Sequence, residues 1–313
     1  MARVIVLGGT GFVGRWVCAE FVARGWDVLA VARTRAPVPA GVRLVRLDVA
    51  ATTADVLARL VTGAGPDVVV NAAGQVWDLD EELVLRSNVT LVERMLAALE
   101  KCPIRTVLVH LGSSIEYGPQ ARGVAVREDL VARPVSGYGA AKLRATELVL
   151  DAFARGHVRG AVLRLCQVIG PGQPSQSLLG RVVGGLLAAE PVTLGPLRDE
   201  RDFVDVRDVA TAVVKAAEVA PDRVVNIGRG SVTRVRALVD GLIAIAGVKT
   251  EVVERESPAG RRSAGIAWEQ ADISLARDLL GWSASRAVEQ TLRDLWLAAS
   301  SAHRGHLQPL ARN

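Results

Sequence analysis

The chain has 313 residues, half of them apolar and 23% charged, enough to bury a full core in one large domain or two closely joined lobes. No apolar run reaches the roughly 18 uncharged residues of a membrane span, and the opening MARVIVLGGTG lacks a signal peptide's long apolar core, so a cytoplasmic protein with no membrane partner is expected. The net charge of +5 lies on scattered arginines with only 4% aromatics, which argues against nucleic acid and for phosphate-bearing small molecules.

In chain order, RVIVL (3–7) reads as a strand, GGTGFVG as a glycine turn, and RWVCAEFVARG as a helix. VLAVAR (28–33) and VRLVRLDV (42–49) are the second and third strands, followed by a helix to about residue 62. DVVVNAAG (67–74) is a fourth strand, residues 83–102 a helix, and TVLVHLGSS (106–114) a fifth strand. Residues 137–156 form a long helix and 160–170 a sixth strand. Apolar strands alternating with helices predict an α/β fold, a Rossmann-like doubly wound parallel sheet covered on both faces.

After residue 170 the alternation breaks. The expected organisation is a dinucleotide-binding domain over 1–165, with 202–227 packing back on it. A smaller interleaved C-terminal substrate-binding lobe then covers 166–201 and 228–300, with a loose tail at 301–313. His303 and His306 in that tail have no cysteine or carboxylate partner, so no metal site is expected. Cys18, Cys102 and Cys166 are far apart and form no CxxC, which fits reduced thiols.

Gly8, Gly11 and Gly14 are spaced G-x-x-G-x-x-G between the first strand and the first helix. The first permits a tight turn, the second lets the backbone approach a pyrophosphate, and the third lets helix and strand pack closely. The helix N-terminus, with Phe12 and Val13 in its first turn, presents free N–H groups to the phosphates. The second strand ends in Arg33-Thr34-Arg35 with no acid, where a carboxylate would repel a ribose 2′-phosphate and a guanidinium binds it in a fork. NADP(H) is therefore favoured over NAD(H), with Arg33 as the contact and Arg35 as a helper. Asp48 and Val49 end the third strand, where Asp48 faces the adenine amino group. Ala72, Ala73 and Gly74 leave room for the cofactor to pass.

Tyr138 and Lys142 stand one helical turn apart in YGAAK, on one face of the long helix. A phenol beside an ammonium group suggests a tuned acid.

Together the motifs GGTGFVG, LD at 47–48, NAAG, Asn88, GSSIEYG (112–118), YGAAK (138–142), IGPGQ (169–173), RDFVDVRDVA (201–210), and ADIS followed by LGW (271–282) resemble the extended short-chain dehydrogenase/reductase family over nearly the whole chain. The resemblance implies Tyr138 as general acid/base, Lys142 as the group that lowers its pKa and holds the nicotinamide ribose, and Ser113 as the substrate-oxygen donor, assisted by Ser114. It also implies a cofactor contact for Asn88, and phosphate-binding roles for Arg201 and Arg262. Gln173 and Ser177 are expected to line a sugar pocket.

Within the family, nucleotide-sugar dehydratases carry acids where this chain has Ser114 and Ile115, and fucose-type epimerase-reductases use a Cys and a His that GSSIEYG lacks. What remains is a ketoreductase or a 4-epimerase. The residues most resemble reductases of nucleotide-linked 4-keto-6-deoxyhexoses, with a nucleotide diphosphate sugar as substrate. The family also implies a homodimer through helices 83–102 and 137–156, using Leu83, Val84, Leu91 and Leu148.

Overall fold

The computed structural model describes residues 1–75, 80–255 and 266–307. The elements that build the first half are β1 (Arg3–Leu7), α1 (Phe12–Ala23), β2 (Asp27–Ala32), β3 (Val42–Arg46), α2 (Ala54–Ala64) and β4 (Val68–Asn71). They are followed by α3 (Glu81–Leu85), a π-helical turn (Arg86–Thr90), α4 (Leu91–Glu100), β5 (Val107–Ser113), a 3₁₀ turn (Ser114–Tyr117), α5 (Gly137–Ala154) and β6 (Arg159–Leu165). The strands are continuous apolar runs, as expected where both faces of a parallel sheet are covered. Thr53 and Ser136 cap α2 and α5 through their hydroxyls, accepting from Val56 and Gly139 amides at 3.3 and 3.1 Å.

The second half adds β7 (Gln167–Ile169), α6 (Leu178–Ala188), β8 (Val192–Leu194), β9 (Glu200–Asp205), α7 (Val206–Val219), β10 (Arg223–Ile227), β11 (Val232–Arg234), α8 (Val235–Ala246), β12 (Val252–Glu254), α9 (Ser274–Leu280) and α10 (Val288–Leu307). The main sheet runs β10-β6-β5-β4-β1-β2-β3, with every pair parallel. The order reverses between β1 and β4, and in such sheets ligands bind in the crevice at that switch point. Two further small sheets are β11-β9-β7 and β12-β8.

One core lies between the sheet and α1, α7 and α9, and includes Val17, Phe21, Val209, Val213 and Trp282. A second lies on the opposite face under α2, α4 and α5, with Leu57, Met95, Leu108 and Val149. A third core holds Leu179, Phe203, Leu238, Leu242 and Leu292. No described helix is long and apolar enough to cross a membrane.

Three expectations are corrected. The single strand read over 160–170 is two strands in different sheets. The Cys166 amide donates to Ile227 at the edge of the main sheet, after which Gln167–Ile169 turn away to pair with Phe203–Asp205. An apolar run carries no mark of that change of partner.

Residues 301–307, read as part of a loose tail, extend α10. The packed turns at Leu292 and Leu295 nucleate the helix, and propagation then needs only one backbone bond per residue.

Of the four residues expected to be exposed for a dimer, Val84 and Leu91 are buried within the chain, and Leu83 and Leu148 are partly buried. Val84 is 7% exposed, Leu91 lies in the second core and Leu148 packs against it, and Leu83 lines a cleft described below.

Candidate active site

The crevice begins at the glycine turn. Gly8 has φ +77°, and a Cβ there would lie 2.8 Å from the backbone of Ala72 and Ala73. A Cβ on Gly14 would lie 2.1 Å from the Gly8 carbonyl oxygen, so α1 packs directly on the turn. Gly11 is the N-cap of α1, with no side chain capping the helix and no acid in its first turn. Those free amides and the open backbone fit a pyrophosphate.

Past the turn lies a cleft of about 250 Å³. Of the predicted cofactor residues, Gly8, Gly11, Arg33, Asp48, Val49, Ala72, Ala73 and Gly74 line it. Phe12, Val13 and Gly14 stand behind the wall in α1. Val13 packs on the core, and Phe12 lies under the Arg15 guanidinium at 5.9 Å. Asn88, 3% exposed, does not reach the cleft. Its side-chain amide donates to the Gln75 carbonyl at 3.1 Å and to the Val84 carbonyl at 3.0 Å, which ties down the 72–75 loop. Thr10, Thr34, Arg86 and Ser87 also line the cleft and carried no sequence signal of their own.

One strand further along the sheet, α5 is fastened to the end of β5 on both sides of Ser113. Lys142, 5% exposed, donates from Nζ to the Leu111 carbonyl. Gly139 lies against Ile115, where a Cβ would stand 3.1 Å from the isoleucine side chain. Tyr138, half-buried in the first turn of α5, precedes Gly139 in the chain and stands one turn before Lys142.

The chain has two tyrosines, and the structure separates them. Burial pushes Tyr117 up to about 12, and its hydroxyl donates to Asn226 Oδ1 at 2.7 Å. It stays a neutral structural phenol, which leaves Tyr138 as the candidate acid.

Ser113 is held by a neighbour that sequence reading passed over. Glu116 is completely buried. One of its oxygens accepts the Ser113 amide at 2.7 Å, and the other accepts from Arg164 Nε at 2.7 Å. The Arg164 guanidinium also covers the Tyr117 ring at 4.4 Å. Among the described residues Ser113 Oγ accepts a long 3.4 Å bond from the Ile115 amide, which uses a lone pair of the hydroxyl and not its proton.

Burial pushes Lys142 down to about 8, opposed by the nearby Glu116 carboxylate. The folded value lies below the ordinary lysine value of 10.5, so the burial penalty is complete below pH 8 and fades as pH rises to 10.5. Lys142→Met removes that penalty. In urea melts of the cofactor-free protein, the stability difference between variant and parent is expected to shift by roughly 3 kcal/mol in the parent's favour between pH 8 and 10.5.

The predicted substrate residues divide. Ser114 donates to Glu269, which also accepts from Gln167 Nε2 at 3.0 Å. This buried carboxyl, pushed up by desolvation, is an acid at the very spot where the local sequence shows none. It comes from 155 residues away, so the neighbours of Ser113 could not reveal it.

Arg201 is 5% exposed and turned inward. It donates to Asp199 Oδ2 at 2.7 Å and to the Glu200 and Ile266 carbonyls, with Glu269 at 3.7 Å. Ser177 is a helix cap in place of a pocket wall: its hydroxyl accepts from the Gly180 amide and donates to the Pro174 carbonyl. Gln173 closes its own loop, its side-chain oxygen accepting from the Gly170 amide at 3.2 Å. Arg262 lies outside the described residues.

Two groups that could mimic acid/base residues are set aside by burial. His110 faces away from Ser113's side of β5, fully buried, with Nδ1 3.0 Å from Asn71 Nδ2. Burial and Lys142 hold it well below the usual histidine range, and it is neutral. Cys166, beside Ser114, is raised well above the ordinary thiol value by burial.

The sequence profile of the NAD dependent epimerase/dehydratase family matches residues 4–228. The chain belongs to this family. As a member it is an NAD(P)-dependent oxidoreductase, and the glycine cradle and cleft fit a dinucleotide. It is 42% identical to a dTDP-6-deoxy-L-talose 4-dehydrogenase (NAD(P)(+)) of Kitasatospora kifunensis over 308 residues, covering 96% of each chain. It is 27% identical to a GDP-6-deoxy-D-mannose reductase of Pseudomonas aeruginosa, covering 93% of this chain and 95% of that protein. Among solved structures it is similar to MoeE5 in complex with UDP-glucose and NAD, with a TM-score of 0.86 and 28% identity over 96% of this chain and 99% of that one.

Proposed function

We propose that this protein reduces the C4 ketone of a nucleotide-linked 4-keto-6-deoxyhexose, with NADPH as reductant. The observation that supports the reading is the fastening of α5 to β5 at Ser113, on the strand next to β4 whose end opens on the cleft, in a chain 42% identical to a dTDP-6-deoxy-L-talose 4-dehydrogenase. That identity makes a dTDP-linked sugar the first substrate to try.

Bound NADPH supplies the hydride. Ser113 donates a hydrogen bond to the ketone oxygen and steadies the negative charge that develops there. Tyr138 gives that oxygen its proton. The Lys142 ammonium favours the phenolate and so brings the phenol's acidity toward working pH. Lys142 itself is positioned by the Leu111 carbonyl, and Ser113 by Glu116.

Purified protein mixed with NADPH and a dTDP-linked 4-keto-6-deoxyhexose should consume the reductant and yield the dTDP-linked 6-deoxyhexose. No consumption with either the dTDP or the GDP keto sugar would contradict the proposal. Tightly co-purifying NAD, with interconversion of two 4-epimers, would instead support a 4-epimerase, the activity named for several relatives.

The preference for NADPH rests on Arg33, exposed at the end of β2 on the lip of the cleft. A charge-assisted fork contributes about 1.5–3 kcal/mol. Arg33→Asp should therefore raise KM for NADPH about tenfold to a hundredfold and leave KM for NADH nearly unchanged, measured by initial rates with each cofactor.

A further inference from the structure

The π-helical turn Arg86–Thr90 has a local cause. The Ser87 hydroxyl donates to the Leu83 carbonyl at 2.6 Å, and the Asn88 amide donates to the Val84 carbonyl at 3.0 Å. These side chains compete for carbonyls that an α-helical ladder would use, and the ladder slips until the Leu91 amide bonds the Arg86 carbonyl. Ser87 and Asn88 are buried by this arrangement, and Arg86 is carried to the lip of the dinucleotide cleft.

There the guanidinium stands 3.6 Å from Asp48 Oδ2, with both side chains well exposed. Such a pair contributes at most about 1 kcal/mol to stability, which does not account for a cation at this place. Asp48 Oδ1 is already engaged by the Ala50 and Ala51 amides, so the carboxylate is a fixed post, not a mobile partner.

The glycine turn takes the pyrophosphate half of the cleft. The other half is bounded by Val31–Thr34 after β2 and Leu47–Ala50 after β3, and it is the half left for the adenosine. Arg86 belongs to that half through Asp48. A guanidinium tethered at one edge keeps its planar face free, and that face stacks on aromatic rings. We infer that Arg86 is a cofactor-binding residue whose guanidinium covers the adenine base of the dinucleotide. It reads the base, whereas Arg33 reads the ribose phosphate. This assignment concerns the dinucleotide cleft and does not depend on which sugar is reduced.

The test is fluorescence titration of the purified protein with NADPH, NADH and reduced nicotinamide mononucleotide, which lacks the adenosine half. Arg86→Ala should weaken NADPH and NADH alike, by about tenfold, and leave the mononucleotide unchanged. Arg86→Lys keeps the charge and the Asp48 pair but loses the plane, and it should recover less than half of the loss on a logarithmic scale. Unchanged dinucleotide affinity would overturn the inference. So would a loss confined to NADPH, an equal loss for the mononucleotide, or full recovery with lysine.

Discussion

Tyr138→Phe should lower kcat for ketone reduction by about 10²–10⁴-fold, the usual contribution of a positioned proton donor. The phenylalanine ring keeps the packing of the first turn of α5, so NADPH affinity should stay within about twofold in a fluorescence titration. The pH dependence adds a second signature. Lys142, held at about 8 by burial in the cofactor-free protein, loses its charge above that pH. The parent's kcat/KM should therefore fall above about pH 8 in the reductive direction, because this parameter reports the groups of the free enzyme. The residual activity of the phenylalanine variant should not follow the same profile. If the variant turned over like the parent, another group would be the acid. Tyr117, pushed up to about 12 and bonded to Asn226, could not take its place.

Arg164→Met should be the most destabilising of the single changes considered. It leaves the Glu116 carboxylate, completely buried, with the Ser113 amide as its one remaining donor among the described residues. Removing one partner from a buried ion pair costs about 3–5 kcal/mol. The loss should appear as a lower midpoint in urea with little change in slope. It should also reach the chemistry, because Glu116 fixes the backbone of Ser113. Adding Glu116→Gln to the variant replaces the unpaired charge with a neutral group that still accepts the Ser113 amide, and should recover at least half of the lost stability. If Arg164→Met melted like the parent, the pair would be idle and Ser113 would need another explanation.

These residues also show where sequence reading succeeds and where it stops. The glycine turn was legible because its constraints are local: three small residues between one strand and one helix. Tyr138 and Lys142 were legible because helical period alone puts positions four apart on one face. The parallel sheet followed from uninterrupted apolar strands.

What was missed depends on distant pairing. Glu116 lies inside GSSIEYG, but its partner Arg164 is 48 residues away on the adjacent strand. Glu269 reaches Ser114 across 155 residues. The family resemblance implies a phosphate-binding role for Arg201, and its sequence neighbours do not show that Glu269 and the Ile266 carbonyl surround it. Ser177 looked like a polar loop residue, and only the start of α6 makes it a cap. The break between β6 and β7 was hidden because both halves of the run are apolar, and what differs is the sheet that each half joins.

The most direct test of the central claim, that Ser113, Tyr138 and Lys142 act on a ketone presented to the dinucleotide cleft, is isotopic. The protein is given a dTDP-linked 4-keto-6-deoxyhexose and, in separate reactions, NADPH deuterated on one or the other face of its nicotinamide C4. One of the two labels should arrive at C4 of the hexose, and the rate should fall with Tyr138→Phe. Deuterium at no carbon of the sugar, or transfer that proceeds unchanged without the Tyr138 hydroxyl, would contradict it.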